Sequence, residues 1–312
     1  MNTDARSTGT SKRFLGWKIA RSGLVIQMLH SGLVFNSFSL FADELRLEFG
    51  WSNRVLGGAF ALNRAESGLL GPLQGWMTDK WGSRVMLRIG AVIMSLGFLL
   101  FSYIDSVAEF YLTYLLIALG SSLAGFLTIT VTIVHWFERH RSKALALASM
   151  GFALGGVLTF GVGIGIDSVG WRNVARLSAV IVLVVILPMA QRFERRPADL
   201  GMYVDGIDPN GVQGAAVVSA PTDDEAPSST PVTPALHFTA AEAMRTRAFW
   251  FISLGHAFAL LVVGASMAHL AVFLRDETSL SSVHRALVVG TVPFMMGVGQ
   301  VIGGYLGDEY DK

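Results

Sequence analysis

The chain has no cysteine in 312 residues, which excludes disulfides, thiolate metal sites and thiol catalysis but does not place the compartment. Charge is scarce too. Asp, Glu, Lys and Arg make up 15%, against about 25% in soluble domains. The two signs nearly cancel at a net +1, so the basic field that binds nucleic acid is missing and no nucleic-acid partner is expected. No clustered Ser/His/Asp, no H-E-x-x-H pair and no phosphate-cradling loop occurs, so the chain does not read as an enzyme and no cofactor or metal is expected. The first residues, MNTDARSTGTSKRF, lack the apolar stretch and small-residue cleavage site of a removed signal peptide. What fills the chain is apolar: 52% hydrophobic, with 34 glycines and 20 phenylalanines. The mean hydropathy is +0.51.

A membrane-crossing helix needs about 20 mostly apolar residues. Eight such stretches occur, at roughly 17–42, 54–76, 84–104, 109–136, 143–167, 172–192, 248–274 and 284–307. Each must be helical, because lipid offers no partner for free backbone N–H and C=O groups. The fold class is therefore an all-α polytopic membrane protein. Pro72, Pro188 and Pro293 lie inside spans and predict local kinks. Lys and Arg crowd the segments on the side of the N-terminus. Only Arg46, Arg54, Arg172, Arg176, Arg275 and Arg285 fall on the other side. That bias places the N-terminus in the cytoplasm, and helical spans point to the inner (plasma) membrane. The layout expected is a cytoplasmic N-terminus at 1–16, a six-helix bundle at 17–192, a cytoplasmic linker at 193–247 and the start of a second bundle at 248–312. The linker reading rests on SAPTDDEAPSSTPVTPA, too polar and Pro-rich to bury a core.

An internal repeat supports two bundles. Gly75-Trp-Met-Thr-Asp79 follows the second span and Gly304-Tyr-Leu-Gly-Asp308 follows the eighth, 229 residues later. The same offset carries Ser52 onto Ser281. Parallel repeats are a known transporter plan. If spans seven and eight repeat spans one and two, four spans are missing, and the chain reads as C-terminally truncated.

The run from Gly75 through Asp79, Lys80, Trp81, Gly82 and Ser83 to Arg84 resembles G-x-L-x-D-R-x-G-R, the loop signature of the major facilitator superfamily. It lies between spans two and three, where that family has it. Lys80 stands for the usual Arg, and Ser83 for a frequent basic residue. Gly304 to Asp308 resembles the weaker second copy. Trp136-Phe-Glu-Arg139-His-Arg141-Ser-Lys-Ala144 is similar to the segment between spans four and five of monocarboxylate and oxalate–formate transporters. Arg196-Pro-Ala-Asp-Leu-Gly-Met202 with Val204-Asp-Gly206 resembles the run after span six in their bacterial relatives, and Gly50-Trp-Ser52 the lead-in to span two. The resemblance implies a secondary transporter with a six-span N-terminal bundle and the first two spans of a C-terminal one. It also implies that Asp79 and Arg84 pair with neighbouring helix ends and hold one access state closed. Positive-inside topology alone accounts for Lys80 and Arg84 but not for Asp79.

Candidate site residues come from the spans, where ionisable groups are expensive and usually face a bundle interior or a water-filled cavity. In span two Arg64 lies on the stripe of Gly57, Gly68, Gly71 and Gly75, a face expected to meet protein. It reads equally as a two-pronged ligand for a carboxylate or as a structural ion pair. Glu66 is about 200° away. It faces Leu69, Leu70 and Leu73 by spacing and reads as a structural partner of another helix or as a proton carrier. Gln27 and His30, with Ser31 and Ser37, form a stripe on span one. Thr128, Thr132 and His135, with Ser121, form another on span four. Each suggests a wet cavity, the bland reading being interhelical hydrogen bonding. His256 and His269 of span seven fall on different faces, about 140° apart, which argues against a metal site. The glycines of span five, Gly151 to Gly165, read as packing residues.

These features predict alternating-access transport of a small organic anion of the monocarboxylate kind, proton-coupled or by exchange. Arg64 would hold the anion, and His30 or Glu66 would handle protons. In the monocarboxylate branch an Arg in span eight is expected, and here only Arg285 stands at its outer edge. Efflux of amphipathic compounds is the alternative, although Gly151-Phe-Ala-Leu-Gly155-Gly156 lacks the proline of the drug-antiporter signature. A non-transporting membrane sensor or assembly partner is the reading from another class.

Overall fold

The computed structural model of the chain describes residues 14–207, 240–276 and 282–309. Among these the regular elements are helical. The first span is α1 (Gly16–His30), a π-helical turn (Ser31–Asn36) and α2 (Phe38–Phe49). It is followed by α3 (Asn53–Trp81), α4 (Ser83–Phe101), α5 (Val107–Leu123), α6 (Phe126–Trp136), α7 (Arg141–Val169) and α8 (Trp171–Ala190). After the linker come α9 (Ala240–Met244), α10 (Arg247–Asp276) and α11 (Ser282–Glu309). The chain divides into two compact units, one of Met1–Val212 with Pro293–Lys312 and the other of Gln213–Val292.

Among the described residues, five helical runs are long and apolar enough to cross a membrane: Gly16–Phe49, Ser83–Phe101, Val107–Trp136, Arg141–Val169 and Trp171–Ala190. α3 has the length, at 29 residues or about 43 Å, but carries Asn63, Arg64, Glu66 and Gln74 along it. In the second unit, Arg247–Val263 is a shorter apolar stretch of α10.

Lipid tails are as apolar as leucine, so helices associate through close packing rather than the hydrophobic effect. Two crossings show it. α4 meets α5 backbone to backbone at Gly90, Gly97 and Gly120. A Cβ on Gly120 would lie 2.7 Å from the Gly90 carbonyl oxygen and 2.7 Å from Met94 Cα. α7 meets α1 and the π-turn at Gly151 and Gly155, where a Cβ on Gly155 would lie 2.8 Å from the Gly32 nitrogen. The span-five glycines 151 and 155 are thus packing residues, while Gly156 and Gly161 have nothing described within 4 Å of an added Cβ. The same holds for Gly57, Gly68, Gly71 and Gly75 of α3. At these four glycines the stripe expected to meet protein has no described atom that close, while Arg64 on the same stripe meets Phe35.

The connections are short. α3 passes to α4, and α7 to α8, through single glycines, Gly82 and Gly170, both at φ 81°. A side chain there would be strained. At the end of the bundle opposite the linker, Arg172 ion-pairs with Glu48 and, at 3.0 Å, with Asp105, while Trp171 Nε1 donates to Glu48 at 2.6 Å.

The segment expected to begin a free linker at 193 first folds back on the bundle. Phe193 is fully buried, and Trp136 Nε1 donates to the Glu194 carbonyl at 2.9 Å. Asp205, in a left-handed turn at φ 56°, accepts the backbone N–H groups of Glu138, Arg139 and His140 at 3.1, 2.7 and 3.4 Å. The low-complexity part of the stretch read as a linker, with Ser281 and the N-terminal residues up to 13 expected to be cytoplasmic, lies outside the described residues.

Candidate functional site

The buried face of α3 is polar. Leu56, Ala59, Asn63, Glu66, Gln74 and Thr78 are enclosed, while Leu69 and Leu73 are exposed. Glu66 therefore does not share the leucine face that helical spacing suggested. It points into the bundle, where Oε2 accepts from Ser122 Oγ of α5 at 2.9 Å and from Ser67 Oγ at 3.2 Å. Its Oε1 is enclosed without a hydrogen-bond partner. Gln74, on the same face, donates from Nε2 to the Ser122 carbonyl and to Thr128 Oγ1 of α6 at 3.3 Å.

The fourth span is broken where these groups converge. α5 ends at Leu123 and α6 begins at Phe126, with Gly125 as the N-cap. A Cβ on Gly125 would lie 2.7 Å from the Ser121 carbonyl oxygen and 3.1 Å from His30 Cε1. The freed Leu123 carbonyl is taken by Thr128 Oγ1 at 2.8 Å. Irregular backbone at membrane depth is tolerated only where protein or a watery cavity surrounds it. The break separates Ser121 from Thr128 and Thr132, so the continuous polar stripe expected on span four is divided between two helices. Thr132 spends its hydroxyl on the Thr128 carbonyl, 3.1 Å away in its own helix. His135 is half-buried at the end of α6.

The first span is irregular as well. His30 ends α1, and the π-turn alters the phase of every residue beyond it. Gln27 and His30 are buried at 0% and 2% exposure, and the Gln27 amide and His30 Nε2 have no hydrogen-bond partner. Ser31 Oγ donates to the Phe152 carbonyl of α7 at 2.8 Å. The π-turn also presents Phe35 to Arg64. The Arg64 guanidinium lies 5.0 Å from the Phe35 ring centroid and 5.2 Å from that of Phe60.

Arg64 is exposed and makes no hydrogen bond or ion pair with any described residue. It sits 11 residues into α3, about 16 Å along its axis. An Arg at such depth costs roughly 2.5–3.5 kcal/mol. Two cation–π contacts at an exposed site return about 0.5–1 kcal/mol each. The remainder is left for water or an anion to supply. Thus His30, Glu66 and Thr128 gather around the fourth-span break, Gln27 lies against Gly151 of α7, and Arg64 stands apart with two aromatic rings. His256 is exposed on α10 with no described partner, and the His269 side chain lies outside the described residues.

The loop motif is distributed over several contacts. Arg84 ion-pairs with Glu194 and donates to the Gln191 carbonyl at 2.6 Å, tying α4 to the end of α8. Lys80 lies 4.8 Å over the Trp76 ring, and the Asp79 carbonyl accepts from Arg195. In the second copy, the Asp308 carboxylate accepts the Ser142 and Lys143 backbone N–H groups at 2.7 and 2.9 Å. Gly304 packs on Ala146, and Lys143 Nζ lies 4.9 Å from the Tyr305 ring. A 220 Å³ cavity opens beside this contact, lined in part by Trp17, Met150 and Val301. His140, the N-cap of α7, supplies no side-chain cap. Asp308 takes its place at the Ser142 and Lys143 N–H groups, a carboxylate at a helix N-terminus being favoured by both orphan donors and dipole, while Asp205 binds the loop just before the helix. Asp205→Ala, which strips three loop N–H groups of their acceptor, is expected to cost about 1–3 kcal/mol, read as a lowered thermal midpoint in detergent.

Asn63, Ser67, Gln74 and Ser122 were not among the residues singled out from sequence. Asn63, Glu66 and Gln74 could have been found as the polar residues of one α3 face. Ser122 could not, because its role depends on the break.

Residues 24–312 match the family described as the Major Facilitator Superfamily. The chain is 27% identical over 169 residues to monocarboxylate transporter 11 of Homo sapiens, covering 54% of this chain and 36% of that protein. It is 24% identical over 251 residues to the oxalate:formate antiporter of Oxalobacter formigenes, covering 78% and 53%. It is 31% identical over 140 residues to monocarboxylate transporter 6 of Homo sapiens, covering 45% and 27%. The chain therefore spans about a quarter to a half of the length of these relatives.

Proposed function

The chain belongs to the Major Facilitator Superfamily, and from that premise we propose that it forms part of a secondary transporter for small organic anions of the monocarboxylate kind. The observation that carries this reading is Arg64, a mid-span guanidinium with two aromatic contacts and no acidic partner among the described residues. A planar fork of donors at that depth suits a carboxylate, which it can bind in two-pronged fashion. The names of the relatives, monocarboxylate transporters and an oxalate:formate antiporter, agree with that ligand class. The substrate reaches Arg64 from one aqueous face and leaves to the other as the bundles rock about it, coupled to protons or to exchange. The N-terminus lies in the cytoplasm and the membrane is the plasma membrane.

In this reading Asp308 is a latch. Its carboxylate holds α11 to the N-terminus of α7 when that end is closed, and releases it when the end opens. Asp79 has the equivalent place in the first copy of the motif. The absence of cysteine makes a test direct. Met150→Cys places a single thiol beside the 220 Å³ cavity. Labelling by a membrane-impermeant maleimide in inside-out vesicles is expected to rise several-fold when Asp308→Ala is added. Equal labelling in both backgrounds rules the latch out. The transport reading itself is tested by uptake of labelled formate, oxalate or lactate by the complete protein in proteoliposomes.

A further inference from the structure

We infer that Glu66 and the break in the fourth span form a proton-binding site, separate from the anion site at Arg64; its coupling role rests on the transport reading above, its existence does not. Glu66 is 9% exposed. The elements packed on α3 are chiefly α4, α5 and α6, with the π-turn and α2 touching it through Phe35 and Phe38. Their titratable or charged side chains are Arg84 and Arg88 on α4, Glu109, Tyr111 and Tyr114 on α5, His135 on α6 and Asp43, Glu44, Arg46 and Glu48 on α2. None bonds to Glu66. Arg84 is held by Glu194, Arg88 by Gln191, and Glu109 caps the start of its own helix. Arg64, on the same helix, leans on Phe35 and Phe60 instead.

A buried carboxyl with no cation beside it has only hydroxyls to stabilise its charge. Here both, Ser122 and Ser67, lie on Oε2, and Oε1 is enclosed with nothing to bond to. Permanent charge at such a site needs a pairing partner or donors on both oxygens. A group that exchanges a proton with a transient water path needs neither. The proton passes from water on one face to Oε1 of the carboxylate, giving the neutral acid, and later leaves to water on the other face.

The second observation is what Glu66 holds. Ser122 lies in the last turn of α5, one residue before its end. α3 grips the break from both sides, through Glu66 and Gln74 on Ser122 and through Gln74 on Thr128. Across the break His30, 2% exposed, has its own enclosed and unpartnered Nε2. As a carboxylate Glu66 can only accept from the Ser122 hydroxyl, as it does at Oε2, whereas the neutral acid carries a hydrogen of its own to donate. Protonation therefore changes the bond that ties α3 to the hinge between α5 and α6, and so couples proton binding to the shape of the fourth span.

The test is an infrared pH titration of the purified protein in lipid. Expected is a carbonyl-stretch band of a protonated carboxylic acid that titrates in the unaltered protein and is lost in Glu66→Gln. A titrating band unchanged in Glu66→Gln overturns the proposal. Should that variant fail to fold, Ser122→Ala decides, since the proposal requires it to displace the titration midpoint, and an unmoved midpoint overturns it. In proteoliposomes, formate accumulation driven by a pH gradient is expected to be lost in Glu66→Gln. Accumulation driven by a sodium gradient alone overturns the proton assignment. No formate movement under any gradient, with the Glu66 band present, sinks the formate reading and leaves the proton site standing.

Discussion

Arg64→Ala is expected to abolish uptake of small carboxylates, and Arg64→Lys to leave a small fraction of it, in membranes holding equal amounts of folded protein. The guanidinium has no described acid to lose, so its removal strands no buried counter-charge and need not unfold the bundle. What is lost is the ligand for the anion. Hydrogen bonds to a charged group are worth about 1.5–3 kcal/mol, which corresponds to roughly ten- to more than a hundredfold in affinity. Lys restores charge but not the planar fork, and it loses the stacking on Phe35 and Phe60. Uptake of labelled formate, oxalate and lactate by the complete protein reads the effect. Unaltered uptake in Arg64→Ala would remove Arg64 from the mechanism. Unaltered uptake in Arg64→Lys alone would mean that charge, not shape, is recognised.

The largest effect on folding is expected at Gly120. Overpacking a core costs about 1–3 kcal/mol even where side chains can shift aside. The atoms facing a new Cβ at Gly120 are backbone atoms of α4, which cannot shift without moving the helix. Gly120→Val should therefore force α4 and α5 apart and leave little monodisperse protein on size-exclusion chromatography in mild detergent. Gly57→Val, where nothing described lies within 4 Å, serves as the control and should be recovered normally. Similar recovery of the two variants would show that the α4–α5 crossing can adjust.

Five spans of the first unit were legible because each is a long apolar run and lipid permits little but a helix, whereas α3 carries too many polar residues to stand with them. Which face of a span turns inward was less legible. Spacing grouped Glu66 with Leu69 and Leu73, yet those leucines are exposed while Glu66, Asn63 and Gln74 are buried. In lipid the outward face is the apolar one, so a rule learned from soluble helices points the wrong way. The two irregular places, the π-turn at Ser31–Asn36 and the break before Phe126, were not legible at all. Counting 3.6 residues per turn assumes an unbroken helix, and both stripes were counted through the interruptions. The partner of Arg84 was equally hidden, since Glu194 lies 110 residues away in the chain. The hydrophilic stretch after span six was read from composition as linker. Its first residues pack on the bundle because Phe193 is apolar enough to bury and Asp205 finds three free N–H groups.

The start of α7 is served by two acids of different origin in the chain. Asp205 takes three backbone donors from within the first bundle, and Asp308 takes two more from the second copy of the motif. In the proposed latch, withdrawal of Asp308 would leave the Ser142 and Lys143 N–H groups to be rehydrated. The loop before them stays bonded, so the helix does not fray. The seat left behind keeps its shape for the return of the same carboxylate. In the proposed latch, closing that end of the protein would be a matter of re-occupying a formed anion seat, without the entropy of refolding a turn at each cycle.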